Sequence, residues 1–583
     1  MKWCFDCNQQ IFSDECPFQG KDTHNVEEIP NNAVPSQIQW CSHCKTPIIV
    51  YLNDVNKEAC PLCGNKTKFL CTDIRPAFPA ERLLFELIKD VPLKYKDCSV
   101  WVNNNKYYID GVAHNLASKE IEDADAEEIG KQLKALAKKN EENSFQKYAD
   151  IFLKANDARL STIKAEAFDW IRKESSKYRQ EQIVISFSGG KDSTVVADLV
   201  IRALGNPSLV HIFGNTTLEF PLTLEYAKRY RADSPKSIFT TAQNKDLNFY
   251  EVAEEIGPPA RMMRWCCTMF KTGPITRVIN SLFRDVNILT FYGIRKCESV
   301  VRSKYNRADD DETSVRVKII KQKVASPIFF WIDADIWLYM LGEKIDFNDA
   351  YRLGYDRVGC WCCPNNNQRA QFLAKIYMPE EFHKWRSFLV NFARKIGKPD
   401  AEVYVDSGAW KARQGGAGVA AAESVKIKFT NCTTEDNAKI YQIIEPIKDD
   451  FYTLFNPFGK VSKELGRKIV SEVLVLDIST NTPILSVQPM NSGDFRYAVK
   501  VKTMNVEKHD DLQRMVAYQI RKWNACRRCL KCESLCKFGA ISITKDAYKI
   551  NAEKCKRCKV CVSQQYLTGG CLMSRFLKQK NEE

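Results

Sequence analysis

Twenty-four cysteines, many of them in C-x2-C pairs, constrain this 583-residue chain more than any other feature. They fall in blocks: nine between Cys4 and Cys98, six between Cys266 and Cys363, Cys432 alone, and eight between Cys526 and Cys571. The chain opens MKWCFDCNQQ, without a basic-then-apolar leader. In a large chain of that kind the spacing favours metal ligation over disulfides, so reduced thiols and a cytoplasmic location are expected. A composition 44% hydrophobic and 27% charged excludes a disordered or fibrous chain. No run approaches 18 apolar residues, so no transmembrane helix and no membrane partner are expected. Oligomerisation is left open.

The pattern along the chain predicts a multidomain α/β protein. Residues 1–72 are rich in Cys and turn residues. Cys41-x2-Cys44-x15-Cys60-x2-Cys63 is a zinc-ribbon spacing, two knuckles presenting four thiolates to one zinc, with rubredoxin-like iron as the alternative. Cys4-x2-Cys7 with Cys16 and His24 is a weaker second pattern. Residues 73–150 read as a small α+β region. Residues 151–412 alternate apolar strands with amphipathic helices, which predicts a parallel sheet. QGGAGVAAA (414–422) reads as a linker or loop, and 424–515 as a small α+β module of unassigned role.

In QIVISFSGGKDSTVVADLV (182–200) a buried strand runs into Ser188, Gly189, Gly190, Lys191, Asp192 and Ser193, and a helix follows. Two glycines let backbone N–H groups converge, and the helix presents its positive end. This is a phosphate or pyrophosphate cradle; the G-x-x-x-x-G-K-[ST] spacing of a Walker A loop is absent.

SFSGGKDS resembles the PP-loop of the adenine-nucleotide α-hydrolase superfamily. The segments 211–230, 257–275, 291–302, SPIFFWIDADIWLYML and YRLGYDRVGCWCCP resemble the phosphoadenosine phosphosulfate (PAPS) reductases within it, over about residues 180–412. The long form of that family carries a leading ribbon and a trailing ferredoxin. The resemblance implies a doubly wound parallel sheet with the nucleotide at the strands' C-terminal ends. It implies Lys191 and Asp192 at the reacting phosphates and Arg261, Arg264, Arg295, Glu298 and Arg302 at the substrate. Glu219 is the candidate for Mg2+ or a ribose hydroxyl. Cys266-Cys267 with Cys360-x-x-Cys363 is similar to the family's core [4Fe–4S] pattern, with Lys271 beside it. The E-C-G-[IL]-H nucleophile string is absent. Cys362 or Cys297 is then the candidate nucleophile, unless electrons come directly from the C-terminal clusters.

Residues 524–583 resemble a two-cluster ferredoxin. That resemblance implies one cubane on Cys526, Cys529, Cys532 and Cys571 and another on Cys555, Cys558, Cys561 and Cys536. The tail 521–583 holds 15 Lys/Arg against 5 Asp/Glu, within a net charge of +14. The surplus offsets anionic clusters or meets nucleic acid. Two functions follow. One is a sulfonucleotide reductase (PAPS or adenosine 5′-phosphosulfate) that releases sulfite and draws on a low-potential electron donor. The alternative is an ATP-dependent sulfur transferase acting on tRNA or DNA.

Overall fold

The structure is a computed structural model that describes residues 1–7, 9–18, 23–29, 34–283, 286–309, 322–491, 495–563 and 567–579. Two three-stranded antiparallel sheets open the chain. In the first, Lys2–Cys4 pairs with Gln9–Ile11 and Val26–Glu28; in the second, Ser36–Cys41 pairs with Thr46–Tyr51 and Lys68–Cys71. A four-stranded antiparallel meander over residues 75–115 follows, packed under helices Pro79–Ile88 and Ala126–Glu141.

The central sheet begins at β1 (Ile183–Phe187) and continues through β2 (Val210–Gly214), β3 (Ile238–Ala242), β4 (Ile288–Phe291), β5 (Ala308–Asp309) and β6 (Gln322–Ala325). Its order is β3-β2-β1-β4-β6-β5, parallel throughout except for the edge strand β5. β1 is apolar at successive positions because both its faces are covered. One face packs Ile183, Ile185, Phe187, Leu289 and Phe291 against α1 (Lys191–Leu204). The same layer includes α4 (Asp333–Gly342), which supplies Ile336 and Trp337. The other face packs Val184, Ile212 and Ile288 against Ile279 of α3 (Gly273–Leu282). α2 (Pro221–Asp233) follows β2 and buries Tyr226 against the sheet. This is the doubly wound arrangement. Chain order reverses direction between β1 and β4, and the loops after those two strands form the crevice where such sheets bind ligands.

Beyond the sheet, two stretches pack against the cysteine-rich tail. The tract 414–422 is a packed seam. Val419, Ala421 and Ala422 are buried in one apolar cluster with Phe576 and Leu577 of the C-terminal helix α6 (Leu572–Leu577). A Cβ on Gly416 would stand 2.4 Å from the Leu577 carbonyl oxygen, so small residues there set a close approach of two chain segments. Residues 429–503 form a six-stranded antiparallel sheet. Helix α5 (His509–Ala525) leaves it and runs directly into Cys526, and one apolar core joins Val487, Val516, Trp523, Cys532 and Ile541. The module and the cysteine-rich tail thus share an apolar core. Among the described residues no helix is long and apolar enough to cross a membrane.

Candidate functional site

At the end of β1 the chain turns through Gly189 at φ +71, where a Cβ would meet Thr223 Cγ2 at 2.9 Å. The loop is tied inward. Ser188 N donates to Ser193 Oγ (3.1 Å), Ser193 Oγ donates to the Gly190 carbonyl (2.8 Å), and Lys191 N donates to Tyr351 OH (3.0 Å). Asn348 Nδ2 donates to the Gly189 carbonyl (3.2 Å). The loop after β4 lies against it: a Cβ on Gly293 would stand 2.7 Å from Asp192 C and Ser193 N.

A buried charge network occupies the crevice. Arg295 Nε is 2.6 Å from Asp192 Oδ1, and its Nη2 is 2.9 Å from Asp333 Oδ1. Lys191 Nζ is 3.2 Å from both carboxylates. Burial opposes ionisation, yet Arg295 and Lys191 hold Asp192 down to about 2. Burial also works against the Lys191 charge, and the two carboxylates nevertheless keep its pKa above the ordinary lysine value. Asp73, from the N-terminal region, accepts from Asp333 N (2.9 Å) and Ala334 N (3.0 Å) at the start of α4. Burial and the nearby Asp333 push it up to about 7. Cations committed to two carboxylates in a dry crevice can exchange partners with phosphate oxygens, which accept the same paired donors.

Of the other expected substrate residues, Glu298 borders this network, accepting from Arg295 N (3.0 Å). Arg302 pairs with Glu298. Arg264 Nη2 faces Cys267 Sγ at 3.4 Å. Arg261 bonds Lys411 through its backbone (N to O 2.9 Å), and both residues line a cavity of about 1780 Å3 with Asn366 and Trp410. Glu219, buried, bridges to Cys360 by strand pairing and accepts from Thr216 Oγ1 at 2.8 Å. Burial raises its carboxyl and Lys271 opposes the rise, so its surroundings are those of the core cysteines.

Cys266, Cys267, Cys360 and Cys363 converge there. Cys267 is held down to about 5 by Cys266 against burial, with help from Arg264 and Lys271. Burial pushes Cys360 up to about 12, and Cys363 adds to the rise. Lys271 also reaches Gly214 at the end of β2, where its Cγ would lie 3.9 Å from an added Cβ. It acts electrostatically on Cys267, Cys360 and Glu219. Cys362 is different: it is 6% exposed, among Trp385, Met269 and Phe270, and burial raises its thiol well above the ordinary range. A sulfur kept protonated in an apolar core is poorly placed as a nucleophile. Cys297, by contrast, is exposed, and Arg295 Nη1 lies 3.4 Å from its Sγ.

In the tail, burial pushes Cys571 up to about 12, and Cys526 and Cys532 add to it; Cys529 feels Cys571, Cys532 and Cys526. Cys561 feels Cys532, Cys555 and Cys536, and Cys555 feels Cys536 and Cys558, so the two runs lie close together. Cys529 and Cys571 share an apolar core with Met269, Phe270 and Cys362. Arg277 of α3 fastens the tail by a bidentate pair to Glu533 (2.9 and 3.1 Å).

Among the described residues, two sets bring their ligand atoms within 4.8 Å of one another: Cys41/Cys44/Cys60/Cys63 and Cys4/Cys7/Cys16/His24. Such spacing fits one tetrahedral ion.

Residues 182–366 match the phosphoadenosine phosphosulfate reductase domain. The matched domain contains the whole charge network except Asp73, and all four core cysteines. An uncharacterized protein of Methanocaldococcus jannaschii is 31% identical over 328 residues, covering 55% of this chain and 65% of that protein. The alignment thus spans less than two thirds of that relative. An adenosine 5′-phosphosulfate reductase of Staphylococcus haemolyticus is 25% identical over 185 residues, 31% of this chain and 70% of the enzyme. The crystal structure of a PAPS reductase from Candida auris covers 36% of this chain and 96% of its own, at 17% identity and TM-score 0.28.

Asp73, Asp333, Asn348 and Tyr351 were not anticipated as site residues. Only Asp333 carried a signal, as a carboxylate opening an apolar helix in WIDADIWLYML.

Proposed function

We propose that the chain is a sulfonucleotide reductase. The observation that carries this reading is the shared core in which Cys529 and Cys571 pack with Met269, Phe270 and Cys362, next to Cys266 and Cys360. It sets cysteines of the tail against the core cysteines, which have Lys271 beside them, and so supports passage of electrons from the tail toward the nucleotide domain. Iron–sulfur clusters, when bound to these sets, supply single electrons at low potential.

In this reading the residues of the crevice do the binding. Lys191 and Arg295 release Asp192 and Asp333 and take the phosphate and sulfate oxygens of PAPS or adenosine 5′-phosphosulfate. Lys271 offsets negative charge between the thiolates and the sulfur. Cleavage breaks the bond from sulfur to the phosphate oxygen. The oxygen leaves with the adenosine phosphate, and sulfur takes up two electrons to depart as sulfite. This reading gives Cys362 no nucleophilic role, because the thiol is buried in an apolar core with Trp385, Met269 and Phe270.

The intact Ser188–Ser193 loop and the cavity lined by Arg261, Lys375, Arg386 and Lys411 favour a second reading, ATP-dependent sulfur transfer to nucleic acid. One paired assay separates them. Anaerobic protein with a reduced donor is given PAPS or adenosine 5′-phosphosulfate, and sulfite is measured; in parallel it is given ATP with and without RNA or DNA, and pyrophosphate is measured. Sulfite without ATP supports the reductase. Pyrophosphate that depends on nucleic acid, with no sulfite, replaces it with the transferase.

A further inference from the structure

The first three-stranded sheet holds a constellation that the nucleotide chemistry does not use. Cys4 lies at the end of strand Lys2–Cys4, Cys7 in the turn after it, and Cys16 and His24 farther along the chain. Cys7 Sγ is 3.5 Å from Cys16 Sγ and 3.1 Å from His24 Nδ1, and Cys4 Sγ is 3.7 Å from His24 Nδ1. Zinc bound to three thiolates and an imidazole spaces its ligands at about 3.8 Å between sulfurs and about 3.6 Å from sulfur to nitrogen. Cys7 N already donates to Cys4 Sγ (3.3 Å), the kind of bond that stabilises a ligating thiolate. Cys4 and Cys16 are buried although the sheet around them is too small to have much of a core of its own.

The same turn reaches the nucleotide crevice. Phe5, between the ligands Cys4 and Cys7, lies under Lys296, whose Nζ is 3.4 Å from the ring centroid. Glu27, on the strand paired with Lys2–Cys4, places Oε2 2.5 Å from Lys296 Nζ. Lys296 is the neighbour of Arg295, and its backbone N donates to the Phe329 carbonyl (2.7 Å). Phe330, next in the chain, packs with Trp3, Phe5 and Ile29. A cation over a ring and beside a carboxylate is held on two sides.

We propose that Cys4, Cys7, Cys16 and His24 bind a second zinc ion, separate from the Cys41/Cys44/Cys60/Cys63 site, and that this ion fixes the turn whose Phe5 and Glu27 clamp Lys296 and thereby the loop carrying Arg295. The role is positional: none of these residues touches the nucleotide. The ion cross-links segments that the small sheet alone holds weakly, and the clamp passes that rigidity to the loop after β4.

The test uses the full chain. Metal analysis of anaerobic protein should give about two zinc ions per chain, falling to about one in Cys16→Ala. Amide hydrogen exchange should quicken at residues 295–299 in Cys16→Ala. Phe5→Ala, which leaves every ligand in place, should quicken exchange at the same residues while keeping both zinc ions; it keeps the clamp testable if Cys16→Ala does not fold. One zinc in the unaltered protein, or iron in place of the second zinc, overturns the site. Exchange at 295–299 unchanged in Phe5→Ala overturns the clamp.

Discussion

Replacing Gly293 by alanine probes the crevice with a single methyl group. Gly293 is not among the residues with positive φ, so alanine meets no backbone objection there. The objection is steric. The new Cβ would lie 2.7 Å from Asp192 C and Ser193 N and 2.9 Å from Asp192 O, all main-chain atoms at the start of α1. No rotamer change relieves a contact with backbone, so one loop must withdraw from the other by several tenths of an ångström. Overpacking of this kind costs about 1–3 kcal/mol. The withdrawal also pulls Arg295, two residues on, from Asp192 and Asp333. A displacement approaching 1 Å at a site of oriented donors can cost about 100-fold in turnover. The assay is calorimetric binding of PAPS and of ATP, beside thermal unfolding. Gly130→Ala is the control: Gly130 is inside helix Ala126–Glu141, and its added Cβ would meet Ile376 Cγ2 at an ordinary 3.6 Å. That variant should gain about 0.5–1 kcal/mol and bind normally. If Gly293→Ala binds nucleotide as the unaltered protein does, the loops after β1 and β4 do not form the ligand crevice.

Three more outcomes follow from the same contacts. Glu533→Ala removes the partner of Arg277 and an acceptor of Ile543 N, so donor-driven turnover should fall while nucleotide affinity, by calorimetry, stays the same. Asp73, raised to about 7 in the fold, binds its proton more tightly there than in the unfolded chain; its contribution to stability is therefore lost as pH rises through about 4 to 7, and denaturation midpoints of Asp73→Asn should be flatter across that window. Electron paramagnetic resonance of the reduced protein should show Cys571→Ala and Cys529→Ala altering one signal and Cys536→Ala and Cys555→Ala altering another; the linear grouping of Cys536 with Cys526 would reverse that pattern.

The parts legible in the sequence were those where a few adjacent residues carry the geometry. SGGKDS after an apolar run marks its own strand, turn and helix, because the turn needs glycine and the strand needs both faces apolar. Cys41 to Cys63 mark a knuckle pair by spacing alone. What stayed hidden depends on distant segments meeting. Asp73 reaches Asp333 across 260 positions, and Tyr351 reaches Lys191 N across 160, with no local pattern to announce either. The tract 414–422 reads as a linker or loop, and its packing as a buried loop against Phe576 and Leu577 is hidden because small residues serve flexible and tightly packed chain equally well. Cys362 is a candidate nucleophile by its neighbours in the sequence, and only the fold shows that it is buried in one apolar cluster with Trp385 and Met269.

The central claim is that electrons held by the cysteine sets reach sulfur in the crevice. A single-turnover experiment tests it directly: chemically reduced, donor-free protein is mixed anaerobically with PAPS or adenosine 5′-phosphosulfate, and visible absorbance and sulfite are followed together. The account predicts reoxidation of the protein only when sulfonucleotide is present, with two electrons lost for each sulfite formed. Sulfonucleotide that leaves the protein fully reduced and yields no sulfite would contradict it.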